Sequence, residues 1–164
     1  MAPSIWGVLT RVLGVVLLIG INAFFVSTEF AVVTARRTRI DQLAREGRTG
    51  ARIVQRWLAS QQNRDAFIAA VQLGVTMASL ALGYLGEEAF RSILEVVLHG
   101  VPVPPSLEGA LSTLPLVISL TVVTGLHVVL GEQVPKVTTL RAPERVALMT
   151  APWMALFERV FYPF

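Results

Sequence analysis

The sequence predicts an all-α integral membrane protein with three transmembrane helices and amphipathic juxtamembrane helices. Three observations carry this. The chain of 164 residues is 54% hydrophobic and only 15% charged, where a soluble domain is nearer a quarter charged. Three windows reach the roughly 20 apolar residues that cross a bilayer. The basic residues are concentrated in one connection. A soluble helical bundle is the weaker reading, because three such windows in a short chain exceed the buried-helix length range.

The first span, about residues 5–35, carries only Arg11 and Glu29 as charges. It is not a signal peptide: no basic region precedes it, its apolar run is too long, and the cationic cluster follows it. The second, about residues 66–98, is free of charge from Ala66 to Gly86 and then meets Glu87, Glu88, Arg91 and Glu95. The third covers about residues 111–135, and Leu111 to Leu130 contains no acid or base except His127.

Charge placement sets the topology. Eight of the 14 basic residues lie between Arg36 and Arg64, opposed only by Asp41 and Glu46. The next connection, His99 to Ala110, has no Lys or Arg, and Lys136, Arg141 and Arg145 follow the third span. The positive-inside rule then places the N-terminus outside and the C-terminus in the cytoplasm of an inner (plasma) membrane, with Arg11 as a mild dissent. The same placement argues against nucleic acid as the partner of a chain with pI ≈ 10.2. No cysteine is present, so the redox compartment stays open.

Juxtamembrane helices are expected at about residues 36–64 and 142–164. In the first, Ile40, Leu43, Ile53, Val54, Trp57 and Leu58 recur at helical spacing around a GRTG break. This reads as one or two amphipathic helices at the inner interface with arginines toward anionic headgroups, the alternative being a solvated basic loop. The second is interrupted by Pro143, Pro152 and Pro163, so it reads as a helix along the inner face, with Trp153, Phe157, Phe161 and Tyr162 suited to the interface. No internal repeat is visible.

Polar residues inside the spans are the candidate site. At 100° per residue, Gln72, Thr76, Ser79, Gly83 and Gly86 fall on one stripe of the second span. Small-residue packing between helices explains such a stripe equally well. In the third span Thr121, Gly125 and Glu132 share a face. A charge at the centre of a span costs on the order of 2.5–3.5 kcal/mol, which makes Glu132 a functional candidate. Pro135 has no N–H, so the carbonyl of Gly131, four residues back, loses its helical partner. One turn thus offers a carboxylate and a free carbonyl, and a hard cation seeks such oxygens. Sodium would accept a similar set. The competing reading is a Pro kink with Glu132 paired to Lys136.

The first span adds Ser27, with Asn22 and Glu29 on a different face. One assignment sends Ser27 to the ion and leaves Asn22 and Glu29 to a polar helix contact; the swap is open. Ser27 lies about 13 Å above Arg36, and Ser79 about 20 Å above Ala66, at 1.5 Å per residue.

The stretches FFVSTEFAVVTARRTRI, AVQLGVTMASLALGYLGE and HVVLGEQVPK resemble the membrane domain of the CorC/CNNM family of magnesium transporters, from about Asn22 to Pro163. The resemblance implies three transmembrane helices, a cytoplasmic-side belt of juxtamembrane helices and a homodimer. It implies efflux of a largely dehydrated Mg2+ from an inward-facing site, coupled to Na+. It points to Ser27, Ser79 and Glu132, with Gly131 as a carbonyl donor. With His99 and His127 the only histidines, no cysteine and no nucleophile–base pair in view, no enzyme activity is expected. Family members continue into cytoplasmic CBS modules and a C-terminal domain, whereas this sequence stops at Phe164, so it is expected to be the membrane part of a longer protein. A magnesium-gated channel and a magnesium-sensing membrane anchor are the alternatives.

Overall fold

The computed structural model describes residues 5–98, 117–118 and 120–161. All regular elements among them are helices. The connection at His99–Ala110, predicted to lie outside, the start of the third predicted span and Tyr162 fall beyond the described residues.

Helix α1 runs Ile5–Thr34 and α4 runs Gln61–Leu98. At 1.5 Å per residue they are about 45 and 57 Å long, against a hydrocarbon core of about 30 Å. Both are apolar enough to span, and a core-helix origin is excluded by their surfaces. Leu13, Val16 and Leu17 on α1, and Met77, Leu80 and Tyr84 on α4, are all exposed, Leu80 at 72%. Water would penalise that display, whereas lipid does not. The third predicted span is seen only in its later part: a helix over 120–126, a π-helical stretch His127–Gln133, and α5 at Val134–Thr139. Val128, Val129, Leu130, Val134 and Val137 are likewise exposed along it.

Between α1 and α4 lie two short helices, α2 (Arg37–Arg45) and α3 (Ala51–Leu58). GRTG is the turn that separates them. Gly47 and Gly50 both have positive φ, 73° and 84°, a region that favours glycine. A Cβ on Gly50 would also sit 2.3 Å from the Leu148 carbonyl oxygen, so glycine lets α3 start directly on the backbone of α6 (Pro143–Phe161). Ser60 starts α4, its Oγ accepting from the Asn63 N–H at 3.1 Å. Asn63 Nδ2 in turn donates to the Arg56 carbonyl at 2.9 Å, closing the end of α3.

The apolar faces of α2 and α3 point into protein rather than lipid. Ile40, Val54, Trp57 and Leu58 join Val32 of α1, Phe67 and Val71 of α4, and Ala147, Ala151 and Met154 of α6 in one buried core. The predicted interfacial helices are therefore present, but their apolar stripe is used for tertiary packing. On α6, Phe157 also turns inward, with its ring 4.8 Å from Phe25 and 4.5 Å from Phe161. The outward stripe is instead Met149, Trp153, Leu156 and Val160, at spacings of one helical face.

Candidate functional site: a polar turn between membrane helices

Helices α1 and α4 are antiparallel in a steady register. Arg11 meets Glu88 at 2.8 Å. A Cβ on Gly14 would lie 3.8 Å from Leu85, and one on Gly74 would lie 2.4 Å from the Phe25 ring. The last value shows the closest approach: Phe25 lies flat in the gap where Gly74 has no side chain. Arg11, the dissenter from the positive-inside rule, is neutralised here. It also donates to the buried Ser92 hydroxyl.

The third helix joins at two points. Val123 fills the place of a Gly86 side chain, 2.5 Å from its ideal Cβ. Lower down, Asn22 Nδ2 donates to the Gly131 carbonyl at 3.1 Å. In an α ladder it is the carbonyl that Pro135, four residues on, would leave without a donor. The buried amide of Asn22, 1% exposed, is its side-chain partner in the folded chain. Pro135 does not break the helix. The ladder shifts to π spacing, with the Val134 N–H bonded to the Val129 carbonyl, and α5 continues beyond it. A π turn adds one residue to each hydrogen-bonded turn, and such turns are frequent at functional sites. Gly131 is buried, and a Cβ there would press on His127 Cδ2 at 2.9 Å and Asn22 Nδ2 at 3.2 Å.

Around this turn the predicted residues take distinct places. Glu132 pairs with Lys136 across one turn, so the competing i,i+4 ion pair does form. The Lys136 ammonium also sits 5.4 Å over the Phe30 ring and within electrostatic reach of Glu29. Ser27 and Ser79 are half-buried, and neither hydroxyl makes a hydrogen bond among the described residues. In the α1–α4 register Ser79 is level with about Gly20, and Ser27 with about Gln72. The two serines are thus about 10 Å apart along the axis. The Asn22–Gly131 contact sets Glu132 between those levels. The polar stripe of α4 divides: Gly86 is packed against Val123, whereas Gln72, Thr76 and Gly83 are exposed, Thr76 bonding its hydroxyl back to the Gln72 carbonyl at 2.8 Å.

The donor set is hard and oxygen-rich: one carboxylate, two unpaired hydroxyls, the Gly131 carbonyl, and Asn22 Oδ1, which is buried without a partner. No cluster of three or more His, Asp or Glu occurs among the described residues. Such a set suits magnesium or sodium and does not suit a transition metal. Sequence reasoning did not find His127, whose Nε2 is also buried without a partner. Its position four residues before Gly131 was the available signal.

Comparison with known proteins identifies the family. The family model for the Cyclin M transmembrane N-terminal domain matches residues 13–164. An uncharacterised Mycobacterium tuberculosis protein, Rv1841c, is 43% identical over 157 residues, covering 96% of this chain and 43% of that one. The Bacillus subtilis UPF0053 protein YhdT is 38% identical over 90% of this chain and 31% of its own length. The Synechocystis UPF0053 protein sll0260 is 34% identical over 89% and 31%. The chain thus spans less than half the length of these relatives. With two membrane-length helices bolted to a polar π turn, it belongs to the CNNM family, as a Cyclin M transmembrane N-terminal domain.

Proposed function

We propose that this domain moves magnesium across the membrane, outward from the cytoplasm and in exchange for sodium, along a path of oxygen donors formed by Glu132, the Gly131 carbonyl, Ser27 and Ser79, the two serines standing too far apart in this arrangement to hold one ion at once. The observation that carries the reading is the π turn. A carboxylate and a buried carbonyl sit on this irregular turn among apolar helices, and the Asn22 amide holds the carbonyl. Membrane interiors tolerate such irregular backbone only where it is buried in protein or lines a cavity. Intramembrane carboxylates by default mark ion pathways.

The chemistry follows from the donor count. Magnesium gives up its waters reluctantly, and a site with one carboxylate leaves the bound ion net positive. Lys136 competes for that same carboxylate. Both features limit affinity, which favours release. Sodium, with a similar taste in oxygens, is a natural antagonist at the site. Third-span residues 111–135 complete the helix trio in this reading, and two copies pair through the exposed small residues Gly83 and Gly125. CBS modules of the longer protein regulate it from the cytoplasm, below the Arg-rich end.

The test is magnesium flux into proteoliposomes by wild type and Glu132→Gln, with an outward or inward sodium gradient. Sodium-dependent flux that Glu132→Gln abolishes is the expected result. Equal flux in the two proteins refutes the site. Binding without flux assigns the domain to magnesium sensing instead.

A further inference from the structure

Beyond ion transport, we infer that the groove between α2 and α3 is a binding site for the phosphate headgroup of an anionic membrane lipid. The two helices lay facing ridges across an open groove of about 630 Å³. Arg37, Asp41 and Arg45 form one ridge at four-residue spacing, and Arg52, Gln55 and Arg56 form the other. Four arginines against one aspartate leave a net charge of +3 in the lining.

The arginines are not spent on internal pairs. Arg37, Arg45 and Arg52 make no ion pair and no side-chain hydrogen bond among the described residues. The one acid, Asp41, accepts from Gln55 Nε2 at 2.8 Å rather than pairing with an arginine. Arg56 meets only Glu158, at 3.6 Å from outside the lining. Two guanidinium ridges held by a buried apolar underside form a rigid receptor for a group with several acceptor oxygens, and arginine suits phosphate because its fork binds two oxygens at once.

Depth selects a lipid over a soluble anion. Val33, 55% exposed on the apolar surface of α1, precedes Arg37 by four residues, a chain reach of at most about 14 Å. The headgroup layer lies within that reach of the hydrocarbon edge. On the other side, α3 is fastened to α6, Trp57 Nε1 donating to Glu158 Oε2 at 3.0 Å. The neighbouring residues of Glu158 on the outer stripe, Leu156 and Val160, are exposed and apolar. The groove therefore opens beside surface that itself calls for lipid, so a headgroup can enter while its acyl chains stay on that surface.

The experiment is native mass spectrometry of the full-length protein released from nanodiscs of phosphatidylcholine with phosphatidylglycerol. Wild type is compared with Arg45→Gln/Arg52→Gln and with Arg48→Gln/Arg141→Gln, an exposed pair outside the groove that removes the same charge. The expected result is selective phosphatidylglycerol retention by wild type, lowered about fivefold per groove arginine removed, with the control pair near wild type. Equal losses in both variants would show diffuse surface attraction and overturn the site. So would absence of any preference, or displacement of the lipid by millimolar pyrophosphate, which would assign the groove to a soluble anion. Replacing exposed, unpaired arginines leaves the core intact, so a melting temperature within error of wild type accompanies each measurement.

Discussion

Replacing Asn22 with Leu removes the one side-chain donor to the Gly131 carbonyl while keeping the side-chain volume close. The amide is 1% exposed and its Nδ2 lies 3.1 Å from that oxygen. Side-chain hydrogen bonds between membrane helices are worth about 0.6 kcal/mol on average and about 1.7 at most. This one stands at the upper end, because both groups are buried, and a buried acceptor that loses its partner costs about 1–3 kcal/mol. Part of the loss is returned, since Asn22 Oδ1 is itself buried without a partner. The net expectation is about 1–2 kcal/mol of destabilisation, read as a lower midpoint in an SDS titration of the detergent-solubilised protein. Magnesium affinity should fall about tenfold, the low end for losing a group that orients a ligand. If Asn22→Leu is as stable as wild type and binds magnesium equally, the carbonyl is not held by Asn22, and the reasoning built on the π turn fails.

Other substitutions test the helix contacts. Gly74→Ala places a methyl 2.4 Å from the Phe25 ring and should cost about 1–3 kcal/mol by overpacking; thermal melts should show Phe25→Leu recovering part of it. Glu88→Gln leaves Arg11 without its partner between α1 and α4 and should lower the melting temperature more than the double change Arg11→Met/Glu88→Gln, since an unpaired charge costs more than none. Burial raises the Glu158 carboxyl above the ordinary 4.5, against the opposing hydrogen bond from Trp57 and the charge of Arg56. The folded protein therefore holds that proton more tightly than the unfolded chain. Its contribution is greatest below the ordinary carboxylate value and is lost as pH rises from there through the raised value. Glu158→Gln keeps an acceptor for Trp57 and should flatten this fall, so the melting-temperature difference from wild type should grow in its favour with rising pH; a constant difference would contradict the assignment.

Much of this architecture could be read from residue patterns because membranes and turns impose local rules. Length and apolarity located α1 and α4, and GRTG located the break between α2 and α3. Pro135 with Gly131 marked the turn where the backbone departs from α geometry. What escaped was set by contacts distant in the chain. The Gly131 carbonyl finds Asn22, 109 positions earlier, and periodicity cannot name such a partner. Likewise, the amphipathic face of α3 was assigned to lipid, since its apolar side is the same whether it meets acyl chains or α6. Arg11 looked misplaced only while Glu88 was unseen.

The glycines resolve into two kinds, and the difference bears on how the helices assemble. Gly74 and Gly86 are filled from outside by Phe25 and Val123, and Gly131 gives room to Asn22 and His127. Each sits at a helix crossing, and together they set the spacing that brings α1 to the π turn. A side chain on Gly131 would press directly on Asn22, 3.2 Å from its ideal Cβ. Among the described residues, Gly83 and Gly125 have nothing within 4 Å, and both are exposed. Packing among those residues gives no reason for their small size. They lie on the faces of α4 and the third helix that also carry Thr76 and Thr121, each hydroxyl turned back onto its own helix at 2.8 Å. Small residues with self-satisfied hydroxyls let two membrane helices approach closely without stranding a polar group. Of the two uses open to such a stripe, internal packing accounts for Gly86, and among the described residues Gln72, Thr76 and Gly83 are left exposed, the positions at which the proposed second copy of the chain would pack.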